Sequence, residues 1–291
     1  MSIDELAEQD RGQSPTERPR RVTEAQVTVV ENGRQTVRRD RLATEEPLEI
    51  RAGGPGQVAV SVAVTMRTPG SDFELAGGFL FSEGLVARDD IATIRYCEDV
   101  EDSEQRFNVV TVRLRKPFDA ALVRRNFYAT SSCGVCGKAS LDAVSVLFAQ
   151  IAEGSFVAPE TLQTLPAALR AEQDVFDQTG GLHATGLFDS EGRLLELRED
   201  VGRHNAMDKL IGSQLLGDRV PLSDRIALVS GRASFELVQK AAVAGIPIMC
   251  AVSAPSSLAV DLARRAGITL VGFLRGSRFV VYTHPERVTL D

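Results

Sequence analysis

The chain of 291 residues is long enough for one large domain, or for two ordinary domains with hydrophobic cores of their own. Its 43% apolar and 25% charged residues are typical of a soluble globular protein, and a net charge of −7 without a long basic stripe argues against a general nucleic-acid binder. The sequence has no apolar run of transmembrane length, no signal-peptide core and only four cysteines, so we expect a cytoplasmic protein with reduced thiols.

The first part of the chain predicts a polar tail and a small mixed domain. Residues 1–20 carry scattered charges and prolines, which is typical of a disordered tail. Residues 21–128 alternate short β-forming runs with glycine and proline turns, and they predict a mixed α+β N-terminal domain. Within it we expect strands over 45–50, 58–66 and 108–114, and a helix that begins with Asp72 as its cap and runs to Gly84.

Two cysteines, Cys133 and Cys136, form a Cys-x-x-Cys pair with glycines around it, directly before a run of helical period. This arrangement predicts a flexible loop at or just before the N-terminus of a helix. The free N–H groups and the dipole of that helix end, together with Lys138, favour an anion there and hence the thiolate over the thiol. Because the thiolate is the nucleophilic form of sulfur, the pair is the candidate reactive centre.

Three chemistries fit such a pair. Structural zinc needs four ligands, but the sequence has no second Cys-x-x-Cys pair, and Cys97 and Cys250 stand in apolar or strand-like contexts typical of packing. Thioredoxin-like exchange expects the pair after a strand in a βαβ unit, a setting that the preceding residues lack. Sulfur transfer through a persulfide needs an exposed thiolate that enters one partner's active site and then another's. From the residues alone, redox exchange and sulfur transfer are about equally favoured, and structural zinc is less favoured than either.

Residues 129–291 predict an α/β domain that carries the Cys-x-x-Cys loop. A hairpin is expected to follow 179–183 and to turn at 189–192, and an amphipathic helix follows Asn205. From Arg225 onward strand and helix alternate, and two consecutive βαβ units imply a mostly parallel sheet covered by helices. The ends of these strands would line one edge of the sheet, where ligands of open α/β sheets usually bind.

Four polar segments fall at or near this predicted edge. Their arginines, small residues and helix starts suit phosphate or another anion, although helix capping, an exposed hairpin or a structural histidine would each explain one segment taken alone. None of the segments is a P-loop. The candidate ligand-binding residues are Thr179, Gly180, Gly181, His183, Asp200, Gly202, Arg203, His204, Asn205, Asp208, Lys209, Ser230, Gly231, Arg232, Phe273, Leu274, Arg275, Gly276, Ser277 and Arg278.

A series of longer motifs occurs in order along the chain and covers all of it except the tail. The motifs are Glu45–Leu48, Thr68–Gly70, Gly77–Gly84, Ser131–Lys138, Thr179–His183, Glu199–Ala206, Asp208–Leu210, Ser230–Ser234, Ala254–Val260, Gly272–Arg275 and Val281–Thr283. Through them the chain resembles the FdhD/NarQ family of formate dehydrogenase accessory sulfurtransferases.

The resemblance implies a sulfur carrier. Members of the family accept persulfide sulfur from a cysteine desulfurase and pass it to the molybdenum or tungsten bis-pterin guanine dinucleotide cofactor of formate dehydrogenase. Carried onto this chain, Cys133 bears the persulfide and Cys136 assists it. Residues 273–278 would contribute to the site that binds the cofactor as a substrate, and the other candidate segments would lie beside them.

The resemblance also implies a fold and a set of partners. The C-terminal domain is expected to be a three-layer α/β/α domain similar to the cytidine-deaminase fold, joined to the smaller mixed N-terminal domain. The zinc-ligating pattern of deaminases is absent, so neither deamination nor a structural metal is expected. The expected partners are a cysteine desulfurase, the formate dehydrogenase apoenzyme, the guanine dinucleotide cofactor and a second copy of the chain; nucleic acid and membrane are not expected.

Two other functions stay as alternatives. The first is a chaperone that inserts the cofactor into the apoenzyme, with the cysteine pair acting only as a redox or docking element. The second is a nucleotide-dependent enzyme, which would turn over a free guanine nucleotide.

Overall fold

The computed structural model of the chain describes residues 20–97, 107–121, 150–152 and 154–289. Cys133 and Cys136, the expected tail and most of the amphipathic run after the cysteine pair lie outside these residues. The boundary expected between residues 128 and 129 also lies outside them, so the division into two domains stays a prediction.

Within the described residues up to 97 and from 107 to 114, the N-terminal part combines a β-hairpin, a four-stranded sheet and an α-helix. The hairpin is antiparallel and separate, the sheet has the order β4-β3-β6-β5, and the helix covers one face of the sheet. The elements are β1 (Val22–Glu31), β2 (Arg34–Ala43), β3 (Glu46–Gly53), β4 (Val60–Arg67), α1 (Asp72–Ser82), a 3₁₀ turn (Arg88–Asp90), β5 (Ile91–Tyr96) and β6 (Val109–Leu114). The strands and the helix expected in this region are therefore confirmed.

The expected capping role of Asp72 is wrong. Ser71 occupies the N-cap position, and Asp72 is the first residue of α1. The Asp72 carboxylate instead accepts two hydrogen bonds of 3.0 Å each from the guanidinium of Arg67, a fully buried side chain at the end of β4. A bidentate pair with Arg is stronger than a cap because both partners are charged and buried together.

The C-terminal part is a six-stranded mixed sheet with helices on both faces. Its strand order is β12-β11-β10-β9-β7-β8, and β9, β10 and β11 run parallel, as the two βαβ units predict. The elements are α2 (Pro159–Ala171), α3 (Asp174–Thr179), β7 (His183–Phe188), β8 (Leu194–Asp200), α4 (Arg203–Leu216), β9 (Ile226–Val229), α5 (Phe235–Val243), β10 (Ile248–Ala251), α6 (Ser257–Ala266), β11 (Thr269–Arg275), β12 (Arg278–Val281) and a 3₁₀ turn (Pro285–Arg287).

The two faces of this sheet bury separate hydrophobic clusters. One face packs against α4, α5 and α6, with Met207, Leu237 and Leu262 as buried members. The opposite face packs against α2, which buries Leu162 and Leu165. The continuous apolar runs of β9 and β10 follow from this arrangement, since a strand covered on both faces has no polar side. The described helices include none that is both long and apolar enough to cross a membrane.

The N-terminal and C-terminal parts meet where α1 packs on α4. An ideal Cβ on Gly78 of α1 would overlap the carbonyl oxygen of Asp208, and one on Gly212 of α4 would overlap that of Glu74. The two helix backbones therefore touch at these glycines, which leave no room for a side chain. This close approach sets the position of the four-stranded sheet relative to the six-stranded one.

We expect Gly78→Ala to destabilise the protein, because the added methyl group forces the two helix backbones apart. The free energy of unfolding should fall by about 2–3 kcal/mol, as in overpacked cores. Gly77→Ala is the matched control, since the atoms nearest its Cβ would be the tips of side chains, those of Ile94 at 3.3 Å, Ile91 at 3.7 Å and Leu216 at 3.8 Å, and not backbone atoms. Chemical denaturation of both variants measures the difference; equal stabilities would contradict the proposed helix contact.

Candidate functional site at the sheet edge

The segments that follow the parallel strands lie side by side, as the sequence predicts. The N–H of Ser230 donates to the carbonyl of Ala184 at 3.0 Å, and the Ser230 hydroxyl accepts from the N–H of Ala184 at 2.9 Å. Next along the edge, the N–H of Ser253 donates to the carbonyl of Gly231 at 3.3 Å, and the N–H of Phe273 donates to the carbonyl of Ser253 at 3.1 Å. Main-chain hydrogen bonds thus join the beginning of β7, the segments after β9 and β10, and the middle of β11 into one continuous edge.

Three helices begin at this edge. Gly202, Ser234 and Ser256 are the N-cap residues of α4, α5 and α6. A bridge between Ala233 and Pro255 brings the starts of α5 and α6 together. Because the first N–H groups of a helix have no acceptor within the helix and carry partial positive charge, this edge favours an anion.

His183, Arg203 and Gly231 come together at the centre of the edge. An ideal Cβ on Gly231 would lie 3.5 Å from the His183 ring and 4.0 Å from Cδ of Arg203. Nε of Arg203 is buried and has no hydrogen-bond partner among the described residues. Burial lowers the pKa of His183, and the charges of Arg203 and His204 lower that pKa further, whereas Asp200 opposes the shift. The centre therefore combines a neutral imidazole with an unsatisfied guanidinium donor.

A second histidine at the edge is held by an acidic partner. Nε2 of His204 lies 3.2 Å from the Ser234 hydroxyl and 3.2 Å from a carboxylate oxygen of Glu236. The hydrogen bond from His204 lowers the pKa of Glu236 to about 2. The stability that this contact contributes is therefore present above pH 4.5 and is lost as the pH falls towards 2. Glu236 stays ionised at neutral pH and partly offsets the positive charge of the edge.

The turn between β11 and β12 closes one end of the edge. Phe273 has a left-handed backbone (φ 53°) beside a bulge in the pairing of the two strands, and 43% of it is exposed. Arg275 and Arg278 are exposed across the turn from each other, and Nε of Arg275 donates to the carbonyl of Val252 at 2.9 Å. Leu274 is fully buried in the cluster beneath α2, so its side chain cannot reach a ligand at the surface.

The remaining exposed candidates flank these groups. Arg232 and Ser230 follow β9, and Gly276 and Ser277 form the tip of the β11–β12 turn. Thr179 is the last residue of α3, and its hydroxyl donates to the carbonyl of Val175 at 2.8 Å. Gly180 and Gly181 follow it in the turn to β7, and Gly180 adopts a left-handed conformation (φ 66°). This turn leads directly into His183.

Three candidates lie below the edge and are held by other parts of the protein. Asp200 is fully buried, and Nζ of Lys209 lies 2.7 Å from its carboxylate. The N–H of Thr68 donates to Asp200 at 3.1 Å, and the side chain of Asn205 donates to Asp200 at 3.0 Å and to the carbonyl of Met66 at 2.7 Å. Burial lowers the pKa of Lys209, and the Asp200 carboxylate opposes that shift. These side chains connect the edge to β4.

Asp208 belongs to a second buried network. Its carboxylate accepts from the Ser82 hydroxyl at 2.7 Å and from Nζ of Lys240 at 2.9 Å, and Lys240 also contacts Glu83 at 2.8 Å. Burial alone would lower the pKa of Lys240, but the carboxylates of Asp208 and Glu83 raise it. Asp208 therefore faces α1 and α5 rather than the edge.

Sequence reasoning missed the acidic and hydroxyl partners at the edge. Glu236 lies in the first turn of α5, and Ser234 and Ser256 stand directly before runs of helical period. A search for helix caps and first-turn acids at the predicted edge would have found all three.

Comparisons with known proteins agree with this architecture. The sequence model of the FdhD/NarQ family matches residues 43–289. A protein of Mycolicibacterium paratuberculosis named sulfur carrier protein FdhD is 54% identical over 271 residues, which are 90% of this chain and 97% of the relative. A protein of the same name from Sulfurisphaera tokodaii is 46% identical over 268 residues, 92% of this chain and 99% of the relative. The crystal structure of a candidate formate dehydrogenase accessory protein from Desulfotalea psychrophila matches with a TM-score of 0.71 and 27% identity, over 92% of this chain and 99% of that one.

The fold is therefore that of a mixed α/β protein of the class to which this crystal structure belongs. The extent of the match to the family model and the identity to the two relatives place the chain more narrowly. The chain belongs to the FdhD/NarQ family.

The titration of His183 tests the electrostatics of the edge. We expect the pKa of His183 to lie below 6.5, to rise in Arg203→Gln, and to rise when phosphate binds, since each change removes or neutralises positive charge. Because protonation is disfavoured in the fold, His183 costs stability as the pH falls below 6.5. The chain has three histidines, so NMR titration of their Cε1 protons is tractable, with His284 as the internal control. An unchanged His183 pKa in Arg203→Gln would contradict the arrangement.

Lys209→Met should destabilise the protein strongly, because it leaves the buried Asp200 carboxylate without its counter-ion. The expected loss of unfolding free energy is about 3–5 kcal/mol, as for other broken buried ion pairs. Arg264→Met, which removes an exposed pair with Asp261, is the control and should cost about 0–1 kcal/mol. Urea denaturation measures both, and a Lys209→Met variant as stable as the control would show that the pair does not hold the two parts together.

Proposed function

We propose that this protein is a sulfur carrier that serves the maturation of formate dehydrogenase. In this role Cys133 takes persulfide sulfur from a cysteine desulfurase and passes it to a molybdenum or tungsten bis-pterin guanine dinucleotide cofactor, which is bound as a substrate at the sheet edge. The relatives named sulfur carrier proteins support the carrier role. The observation that supports this substrate is the sheet edge, where three helix N-termini and several arginines lie close together.

The chemistry of the edge fits the phosphates of such a substrate. Arg203, Arg275 and Arg278 offer guanidinium donors that bind phosphate oxygens in pairs, and the helix N-termini add main-chain N–H groups. Gly231 leaves the space beside His183 and Arg203 free of a side chain. The exposed ring of Phe273 offers an apolar face on which a guanine base can stack. Together these groups would hold the nucleotide end of the substrate.

The sulfur steps follow from thiol–disulfide chemistry. The Cys133 thiolate attacks the outer sulfur of the desulfurase persulfide, the desulfurase cysteine leaves as its thiolate, and Cys133 becomes a persulfide. The Cys136 thiolate then attacks the inner sulfur of that persulfide and forms a Cys133–Cys136 disulfide, and the outer sulfur leaves as hydrosulfide to the substrate. A thiol reductant restores the pair for the next cycle.

The same proposal includes the finer features of the family. The six-stranded sheet with helices on both faces is the domain that we propose to be cytidine-deaminase-like. We further propose that the protein acts in the cytoplasm as a homodimer, with the desulfurase and the apoenzyme as successive partners. The helix starts and arginines would serve a cofactor-insertion chaperone equally well, so the fate of the sulfur decides between the two roles.

A sulfur-loading experiment separates these roles. The protein is incubated with a cysteine desulfurase and ³⁵S-cysteine, and peptide mass spectrometry locates the added sulfur. We expect loading on Cys133 that is abolished in Cys133→Ala. Arg203→Gln should load normally and then fail to release sulfur to the cofactor, because its defect lies in substrate binding. Arg41→Gln, a change at an exposed arginine of β2, is the control and should load and release sulfur normally.

The double variant Cys133→Ala/Cys136→Ala provides the opposing result. If it restored full formate dehydrogenase activity in a strain that lacks the protein, the chaperone would be correct and sulfur transfer wrong. Turnover of a free guanine nucleotide would instead support an enzyme that uses the nucleotide.

A further inference from the structure

A second basic cavity lies on the four-stranded sheet, on the face opposite α1. Ile50 and Ala52 of β3 point into the core beneath α1, so Arg51 between them points to the other face. There a cavity of about 250 Å³ is lined by Arg51, Arg95 and Arg113, with Thr111 at its base and Val58 and Cys97 in its walls. We propose that this cavity binds a small tetrahedral oxyanion, either as a free ion or as the phosphate group of a small molecule.

The strand register brings the donors together. Thr111 on β6 pairs with Arg51 on β3 and with Arg95 on β5, so the two arginines stand on either side of the threonine in one row across three strands. Neighbouring strands are about 4.8 Å apart, so both guanidinium groups can reach one anion above Thr111. Arg113 lies two residues further along β6 and points to the same face.

The donors in this row are incompletely satisfied. Arg95 is exposed, and it has no ion-pair or hydrogen-bond partner in the part of the chain that the structure describes. Thr111 is only 7% exposed, and its hydroxyl likewise makes no hydrogen bond to a described residue. Thr111 lines the arginine-lined cavity, so its hydroxyl is available to a ligand there. Arg51 pairs with Glu49 at 2.7 Å, so among the described residues Arg95 and Arg113 are the lining cations without an acidic partner.

One wall of the cavity is fixed by its own hydrogen bonds. Oε1 of Gln57 accepts from the N–H of Gly54 at 2.8 Å and from the N–H of Phe118 at 2.7 Å. The carbonyl of Gln57 accepts from Arg113 at 2.9 Å, so the turn that carries Val58 is tied both to the guanidinium and to the end of β6. This wall of the cavity is therefore preformed, which reduces the ordering cost of binding.

Its size selects a small ligand. Pockets for drug-sized ligands measure about 300–1,000 Å³, so a cavity of about 250 Å³ suits a single phosphate or sulfate group better than a dinucleotide. Its residues lie on β3, β5 and β6, on the turn before β4 and directly after β5, and none of them belongs to the edge of the six-stranded sheet. The inference is thus independent of the proposed sulfur-carrier function.

The Cys97 thiol in the cavity wall gives a local readout. The full-length protein is alkylated with iodoacetamide at constant ionic strength, in chloride or in inorganic phosphate, and peptide mass spectrometry follows Cys97. At phosphate well above its Kd, alkylation of Cys97 should slow about tenfold, because few molecules then have an open cavity. Cys250, which is fully buried, is the internal reference for unfolding. NMR of the Arg95 and Thr111 amides during the same titration gives a second readout that does not depend on thiol reactivity.

Variants and a second ligand complete the test. Arg95→Gln should weaken phosphate binding about tenfold, as expected for the loss of a charged hydrogen bond at a partly exposed site, whereas Arg41→Gln should not change it. Protection by ribose 5-phosphate as well would show that the cavity takes the phosphate group of a larger molecule; protection by phosphate alone would show a site for the free ion. The proposal is overturned if neither ligand protects Cys97 nor shifts the two amides, or if Arg95→Gln binds phosphate as tightly as the unmodified protein. None of these measurements involves formate dehydrogenase, so their outcome does not depend on whether the protein is a sulfur carrier.

Discussion

Asp200 is a fully buried carboxylate at the end of β8, and its hydrogen bonds connect the two halves of the protein. It faces the ammonium group of Lys209 at 2.7 Å and accepts main-chain N–H groups from Thr68 and Gly202. An ionised carboxylate away from water is tolerated only when it is paired and fully hydrogen-bonded. The end of β4 must therefore lie against the start of α4, and this requirement fixes where the four-stranded sheet can sit.

The position of the edge follows from that constraint. Gly202 is the N-cap of α4 and is held by Asp200 at 2.8 Å, so the first turn of α4, with Arg203 and His204, is placed by the buried pair beneath it. Further along α4, the backbone contact at Gly212 locks the same helix against α1. The exposed groups of the edge are thus positioned by buried, hydrogen-bonded residues of α4 and β8. Sites held in this way keep a defined geometry.

The sequence predicted the elements and the edge better than the roles of single residues. Periodicity was sufficient for the strands and helices, and the βαβ order was sufficient for the common edge, because both depend on residues close together in the chain. Asp208 binds Ser82 and Lys209 binds the carbonyl of Thr68, both more than 100 positions away in the chain. No local sequence pattern predicts such contacts. Asp208 and Lys209 stand in an apparent binding motif, so the sequence alone predicts a role in ligand binding, but both side chains are buried. The burial of Leu274, in contrast, follows from a local pattern. Successive side chains of a strand point to opposite faces, so Leu274 points inward where Phe273 points outward.

Departures from ordinary local rules occur at three residues of the edge, Phe273, Arg203 and His183. Among the described residues, five other than glycine have a left-handed backbone; four of them are Asn, Asp, Ser or His, polar types that occur in turns, and the fifth is the bulky Phe273. Arg203 keeps a buried Nε without a partner among the described residues, and such a donor costs about 1–3 kcal/mol while it is unsatisfied. His183 is half-buried, and its burial and the charge of Arg203 lower its pKa. An anion bound to Arg203, as we propose, would satisfy this donor and offset the positive charge beside His183, so its binding would stabilise this part of the protein.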